Sequence, residues 1–176
     1  MRPNWASMLV SMKALLAAGA TAQAPLTPAA ACTAAEYRQF DFFAGDWDTY
    51  DMAAPRKVIA RNHVSPMVGG CALREVYLQN DGLLGESFST YDAARQVWHQ
   101  SWVTNRGQLL LLEGTLAGGR MVLIAREAEQ GGESSLVRAT WWRIPDAVRE
   151  TAERSRDGGR TWTPVFDIVF RPHSRR

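Results

Sequence analysis

The chain has 176 residues, 20 basic and 18 acidic, with 46% hydrophobic and 22% charged side chains. That length fits one domain of ordinary size. The near balance of charge, with no basic run interleaved with aromatics, argues against a nucleic-acid partner.

Residues 1–22 read as a secretory signal peptide: Arg2 and Lys13 without any acid, an apolar stretch over 14–20, then small residues. Two A-x-A sites end at Ala22 and Ala24, and Pro25 after the second favours cleavage after Ala22. The apolar run is too short to span a bilayer, so the mature protein is expected to be exported, periplasmic or secreted, with no integral membrane segment. Without Arg2 and Lys13 the mature chain carries 18 basic and 18 acidic groups. Residues 23–33, QAPLTPAAACT, form a Pro/Ala-rich lead-in, and a single domain is expected over 34–173. Tyr37, Phe40 and Phe43 share one face of a short helix or helical turn ended by Gly45, with Thr33 as N-cap and Glu36 as its capping-box partner. Cys32 and Cys71 are the two cysteines, and an even pair in an oxidising compartment reads as a disulfide.

From Trp47 onward, runs of about 7–10 residues alternate with turn chemistry. The breaks fall at Ala53-Ala54-Pro55, Gly69-Gly70, Asn80-Asp81-Gly82, Asp92-Ala93-Ala94, Asn105-Arg106-Gly107, Gly118-Gly119, Gln130-Gly131-Gly132, Ile144-Pro145-Asp146 and Asp157-Gly158-Gly159. Nine breaks separate ten candidate strands. No helical pattern lies between them to serve as a parallel crossover, so the reading is an all-β antiparallel meander. Closure into a β-barrel removes its edges.

Alternation sorts the strand residues by face. Trp98, Gln100 and Trp102 share one face of a strand, and Arg138, Thr140 and Trp142 share one face of another, opposite Val137, Ala139 and Trp141. Leu73, Glu75 and Tyr77 form a third set, and Val148, Glu150, Ala152 and Arg154 a fourth. Faces that mix large aromatics with isolated charges suit a small cavity in which polar groups orient a ligand. The expected ligand-binding residues are Trp98, Gln100, Trp102, Arg138 and Trp142. A small apolar or aromatic molecule is the expected partner.

The stretch FDFFAGDWD, residues 40–48, resembles the F-D-F-W-x-G-x-W opening of a family of exported bacterial proteins of unknown function, with Phe43 in place of the tryptophan. Gly70-Cys71, Tyr91-Asp92, Trp98-x-x-x-Trp102, Gly107, the segment 155–162 and Phe166-Asp167 follow in the same order. The resemblance implies a calycin-like barrel, akin in shape to lipocalins and nitrobindins, and carries no catalytic residues with it. A second resemblance lies in SRDGGRTW, residues 155–162, which matches the S-x-D-x-G-x-T-W Asp-box of sialidase propellers. It occurs once, in a chain too short for a propeller, and so reads as a hairpin clasp.

For chemistry, a small barrel enzyme (isomerase, cyclase or hydrolase) would use a cavity carboxylate, with Glu75 and Glu150 as acid/base candidates. Glu86 and Glu113 are further strand carboxylates. A glycosidase would need two such groups to converge, which local sequence does not show. The segment Gly85-Glu86-Ser87-Phe88-Ser89 lacks the final glycine of a nucleophile elbow, and no phosphate-binding glycine pattern occurs. His63, His99 and His173 are too dispersed for a metal site, and no cofactor is called for by any motif. A haem-binding barrel, with one of these histidines as axial ligand, is a further alternative that the nitrobindin-like shape invites.

Overall fold

The computed structural model describes residues 32–129 and 131–174, so the signal-peptide assignment lies outside the described residues. Ten strands follow one another: β1 (Gly45–Asp51), β2 (Val58–Met67), β3 (Ala72–Gln79), β4 (Leu84–Asp92), β5 (Val97–Thr104), β6 (Leu109–Ala117), β7 (Arg120–Ala128), β8 (Ser134–Ile144), β9 (Ala147–Ser155) and β10 (Thr163–Pro172). Each is antiparallel to its neighbours, and β10 pairs with β1, from Trp47 opposite Pro172 to Asp51 opposite Ile168. The sheet is therefore a closed barrel with no free edge. All nine expected breaks fall at the strand junctions, two of them starting on the last residue of a strand, Asp92 of β4 and Ile144 of β8. Gly118 and Gly119, both at positive φ, make the two-residue β6–β7 turn that right-handed sheet twist favours.

The β9–β10 hairpin shows what SRDGGRTW does. The Asp157 carboxylate accepts the backbone N–H groups of Arg160 and Thr161 and the hydroxyls of Ser155 and Thr161. Ser155 Oγ accepts from Gly159 N at 2.8 Å, and the Trp162 indole donates to Gly159 O. These bonds hold the Asp157 carboxyl well below the usual carboxylate range. The octapeptide is a turn clasp.

One barrel end is plugged. Before β1 lie two 3₁₀ turns, Ala35–Arg38 and Asp41–Phe43. The expected short helical segment is present as these two turns, but the Thr33–Glu36 capping box does not form: the N-cap position falls to Ala34, with no side-chain cap. Phe40 and Phe43 stack at 5.5 Å and are fully buried. Phe40 meets Trp98 and Trp141 edge-on, at 5.7 and 5.4 Å, and Phe43 meets Phe170 at 5.2 Å. Trp47 donates its indole N–H to Phe43 O and lies over Gly45, where a Cβ would come within 2.5 Å of the ring. The FDFFAGDWD segment is thus an aromatic stopper and the first turn of strand β1.

The disulfide Cys32–Cys71 ties the start of this stopper to the β2–β3 connection. Its sequence separation of 39 corresponds to about 4 kcal/mol of chain-entropy stabilisation. Reduction is expected to lower unfolding free energy by about that amount in urea titrations with and without reductant. Alkylation of unreduced protein, read by mass spectrometry, should leave both cysteines unmodified.

Candidate ligand cavity and its carboxyl pair

Above the stopper the barrel encloses a cavity of about 420 Å³. Leu110 and Leu112 of β6, Val137, Ala139 and Trp141 of β8, and Ile168 and Phe170 of β10 form apolar walls. Asp51, Gln79, Leu83 and Gln108 line the opposite end, beside the β1–β2, β3–β4 and β5–β6 turns. Trp102 forms an aromatic wall with Tyr77, ring centres 6.1 Å apart. It can lie there because residue 85 is glycine: a Cβ at Gly85 would sit 2.2 Å from the indole.

Two carboxyls face this space. Glu75 (β3) and Glu150 (β9) are 6% and 9% exposed and both line the cavity. Their strands are four apart by one path round the barrel and six by the other, so the carboxyls come from facing walls. Their surroundings differ. Glu75 accepts from Asn62 Nδ2 and from Ser87 Oγ, both at 2.8 Å. Glu150 makes no hydrogen bond of normal geometry to a described residue. The indole N–H of Trp141 is directed at it and favours its charged form, short of a hydrogen bond of normal geometry.

Burial pushes both carboxyls up, because the charged form loses hydration. The donors on Glu75 offset part of that rise, whereas the negative charge of Glu75 adds to the rise at Glu150. Glu150 is therefore the member that holds a proton to higher pH. Burial and the same two carboxylates push the Tyr77 phenol above its ordinary value. The arrangement sets a well hydrogen-bonded carboxyl beside one that holds its proton more firmly, which is the pattern for a base and an acid in one site.

The expected site residues divide into two groups. Gln100, Trp102, Glu75 and Glu150 line the cavity. Trp98 points inward but sits lower, packed into the stopper with its indole N–H on Gln39. Arg138 and Trp142 are on the outer face, a correction to the expected lining. The inward phase of β8 is the apolar one, Val137, Ala139 and Trp141, because the cavity walls there face β6 and β10 side chains rather than water. Outside, Arg120 and Arg149 lie over the Trp142 ring at 4.1 and 5.4 Å. Arg138 covers Trp162 at 4.1 Å and pairs with Glu153. Glu86 and Glu113 are also outside, paired with Arg74 and Arg95.

None of the three histidines lines the cavity. His63 pairs with Asp46, His99 with Glu113 and Ser101, and His173 with Asp48. The barrel interior thus has no histidine to ligate haem, and the residues present do not fit that group. Among the described residues no cluster of metal-ligating side chains occurs. Comparison with protein-family models gave no match, and comparison with curated proteins gave none.

Asn62, Ser87 and Trp141 belong to the site as well. The signal for Trp141 was present in the uninterrupted apolar phase of β8.

A buried acid with a raised pKa makes folding pH-dependent with a defined sign. Above its ordinary value of 4.5 Glu150 keeps a proton in the folded chain that the unfolded chain has released. Stability is therefore lost as pH rises from about that value, until the folded group also ionises. Glu150→Gln is expected to raise unfolding free energy near neutral pH by about 1–3 kcal/mol. The difference from wild type should shrink towards pH 4.5 in a series of urea titrations.

Proposed function

We propose that this protein is an exported, calycin-like barrel that binds one small molecule with an apolar or aromatic body in its interior. The observation that carries this reading is the 420 Å³ cavity, with apolar walls leading to two buried carboxyls. Its size is at the small end of the range for ligand pockets, and a few convergent polar groups in an apolar lining are their usual composition. Export, to the periplasm or beyond the cell, is supported by the basic-apolar-small layout of residues 1–22 and by the Cys32–Cys71 disulfide. No helix among the described residues is long and apolar enough to cross a membrane.

A second reading, a small barrel enzyme, has a specific observation in its favour. Glu75 and Glu150 lie in one cavity with different hydrogen-bond surroundings, so Glu75 can accept a proton while Glu150 donates one. Such a pair suits an isomerisation, cyclisation or hydrolysis of a bound molecule.

The binding reading is tested with the uncharged probe N-phenyl-1-naphthylamine. It should quench tryptophan emission saturably at one probe per barrel. Trp102→Ala should weaken binding about 10-fold, through loss of one aromatic wall. Trp142→Ala, an outer-face change, should leave binding unaltered. Quenching that follows Trp142 and ignores Trp102 would overturn the interior site.

A further inference from the structure

The hydrogen-bond polarity of the cavity narrows the class of ligand. Ser87 has one hydroxyl proton, which it gives to Glu75 at 2.8 Å. Towards Gln100 it can therefore only accept, and this orients the amide: Gln100 Nε2 donates to Ser87 and Ser89, at 3.3 and 3.1 Å. The Gln100 carbonyl oxygen is left without either serine. Tyr77 spends its hydroxyl proton on Gln79 Oε1, which leaves the phenol oxygen as an acceptor. Glu75 receives two protein donors and has lone pairs to spare, and Glu150 receives none of normal geometry. Against these acceptors stand few donors: the Trp141 indole N–H, which is directed at Glu150, the Arg154 Nε–H, and the Glu150 O–H while it keeps its proton.

Charge points the same way. Asp51, Glu75 and Glu150 face the cavity, and Arg154 is its only cationic lining residue. Arg154 is already engaged by Glu127 and Glu129. Around Glu150, β3 contributes Glu75 and Tyr77, β1 contributes Asp51, and β9 itself contributes Arg154; the cavity faces of β8 and β10 are apolar apart from the Trp141 N–H. The deep cavity is thus acceptor-rich, acidic and walled by aromatics.

We infer that the ligand is a primary organic ammonium, its cationic head between Glu75, Glu150 and Gln100 and its apolar or aromatic body against Trp102 and Leu112. This rests on the interior-binding reading above. A primary ammonium brings three donors and a positive charge, and a ring face within reach of the cation adds attraction. Binding draws the proton from Glu150, since the arriving charge favours its ionised form.

Calorimetry near neutral pH on the mature chain can test this with three probes of similar shape: 4-phenylbutylamine, 4-phenylbutan-1-ol and 5-phenylpentanoate. The amine should bind at least about 10-fold more tightly than the alcohol, and the carboxylate least. Buffers of different ionisation enthalpy should reveal proton release on amine binding. Glu75→Gln and Glu150→Gln should each reduce amine affinity about 10-fold while leaving the alcohol within about 3-fold. Alcohol or carboxylate binding as tight as the amine would overturn the ammonium assignment, yet leave the interior site standing. The wild-type comparison decides this even where a variant fails to fold. If neither these probes nor N-phenyl-1-naphthylamine binds, both readings fall together.

Discussion

The stacked pair Phe40–Phe43 decides what the rest of the barrel can be. A ten-stranded closed sheet leaves a lumen too wide for wall side chains to fill over its whole length. Two aromatic rings from outside the sheet, joined by Trp98, Trp141 and Phe170, fill one end to core density. The other end keeps its space. Ordering the stopper carries an entropic cost that short 3₁₀ turns do little to offset. The Cys32–Cys71 bond supplies the missing constraint from below. Trp141 connects the two halves, touching Phe40 on one side and the cavity on the other.

Above the stopper the polar groups form a directed chain. The Gln100 amide donates to Ser87, Ser87 donates to Glu75, and Asn62 supports the other Glu75 oxygen. One end of the pair is thereby organised to carry negative charge at modest cost. Glu150 has only the Trp141 indole N–H directed at it. Its carboxyl stays protonated by environment, and any cation or proton acceptor that enters changes that balance. The two carboxyls are identical in chemistry and differ only in which neighbouring strands present donors.

Much of this architecture was legible locally. Turn residues located every strand boundary, because glycine, Asn-Asp and Pro-Asp pairs act over four residues and need no tertiary context. Alternation grouped the residues of β3, β5 and β9 by face, with each carboxyl on the face that proves inward, but did not say which face that is. It failed on β8, where Trp141 and Trp142 are adjacent and each phase holds one tryptophan. There the deciding information was long-range: Arg120 from β7 and Arg149 from β9 flank Trp142 on the outside. Trp98 showed the converse limit. Its phase was right, but its height along the strand placed it in the stopper, which sequence alone did not position. That Glu75 and Glu150 share a cavity depends on the whole chain of strand pairings between β3 and β9, which no local pattern encodes.

The elements that hold the fold and the elements that define the cavity floor are separable. Pairing of β1 with β10, the aromatic stopper, the disulfide and the Asp157 clasp none of them involve Glu75, Glu150 or Gln100. An apolar side chain at position 150 would match the apolar lining of the cavity, including Ile168 on the paired strand, better than a weakly supported carboxyl does. Burial of such a group costs stability that a barrel without a use for it need not lose. Groups that break the local rule while the rest of the structure obeys it are the ones to expect at a functional site. Glu150 breaks the rule most severely in this molecule, and Glu75, with its relay of donors, is the partner arranged around it.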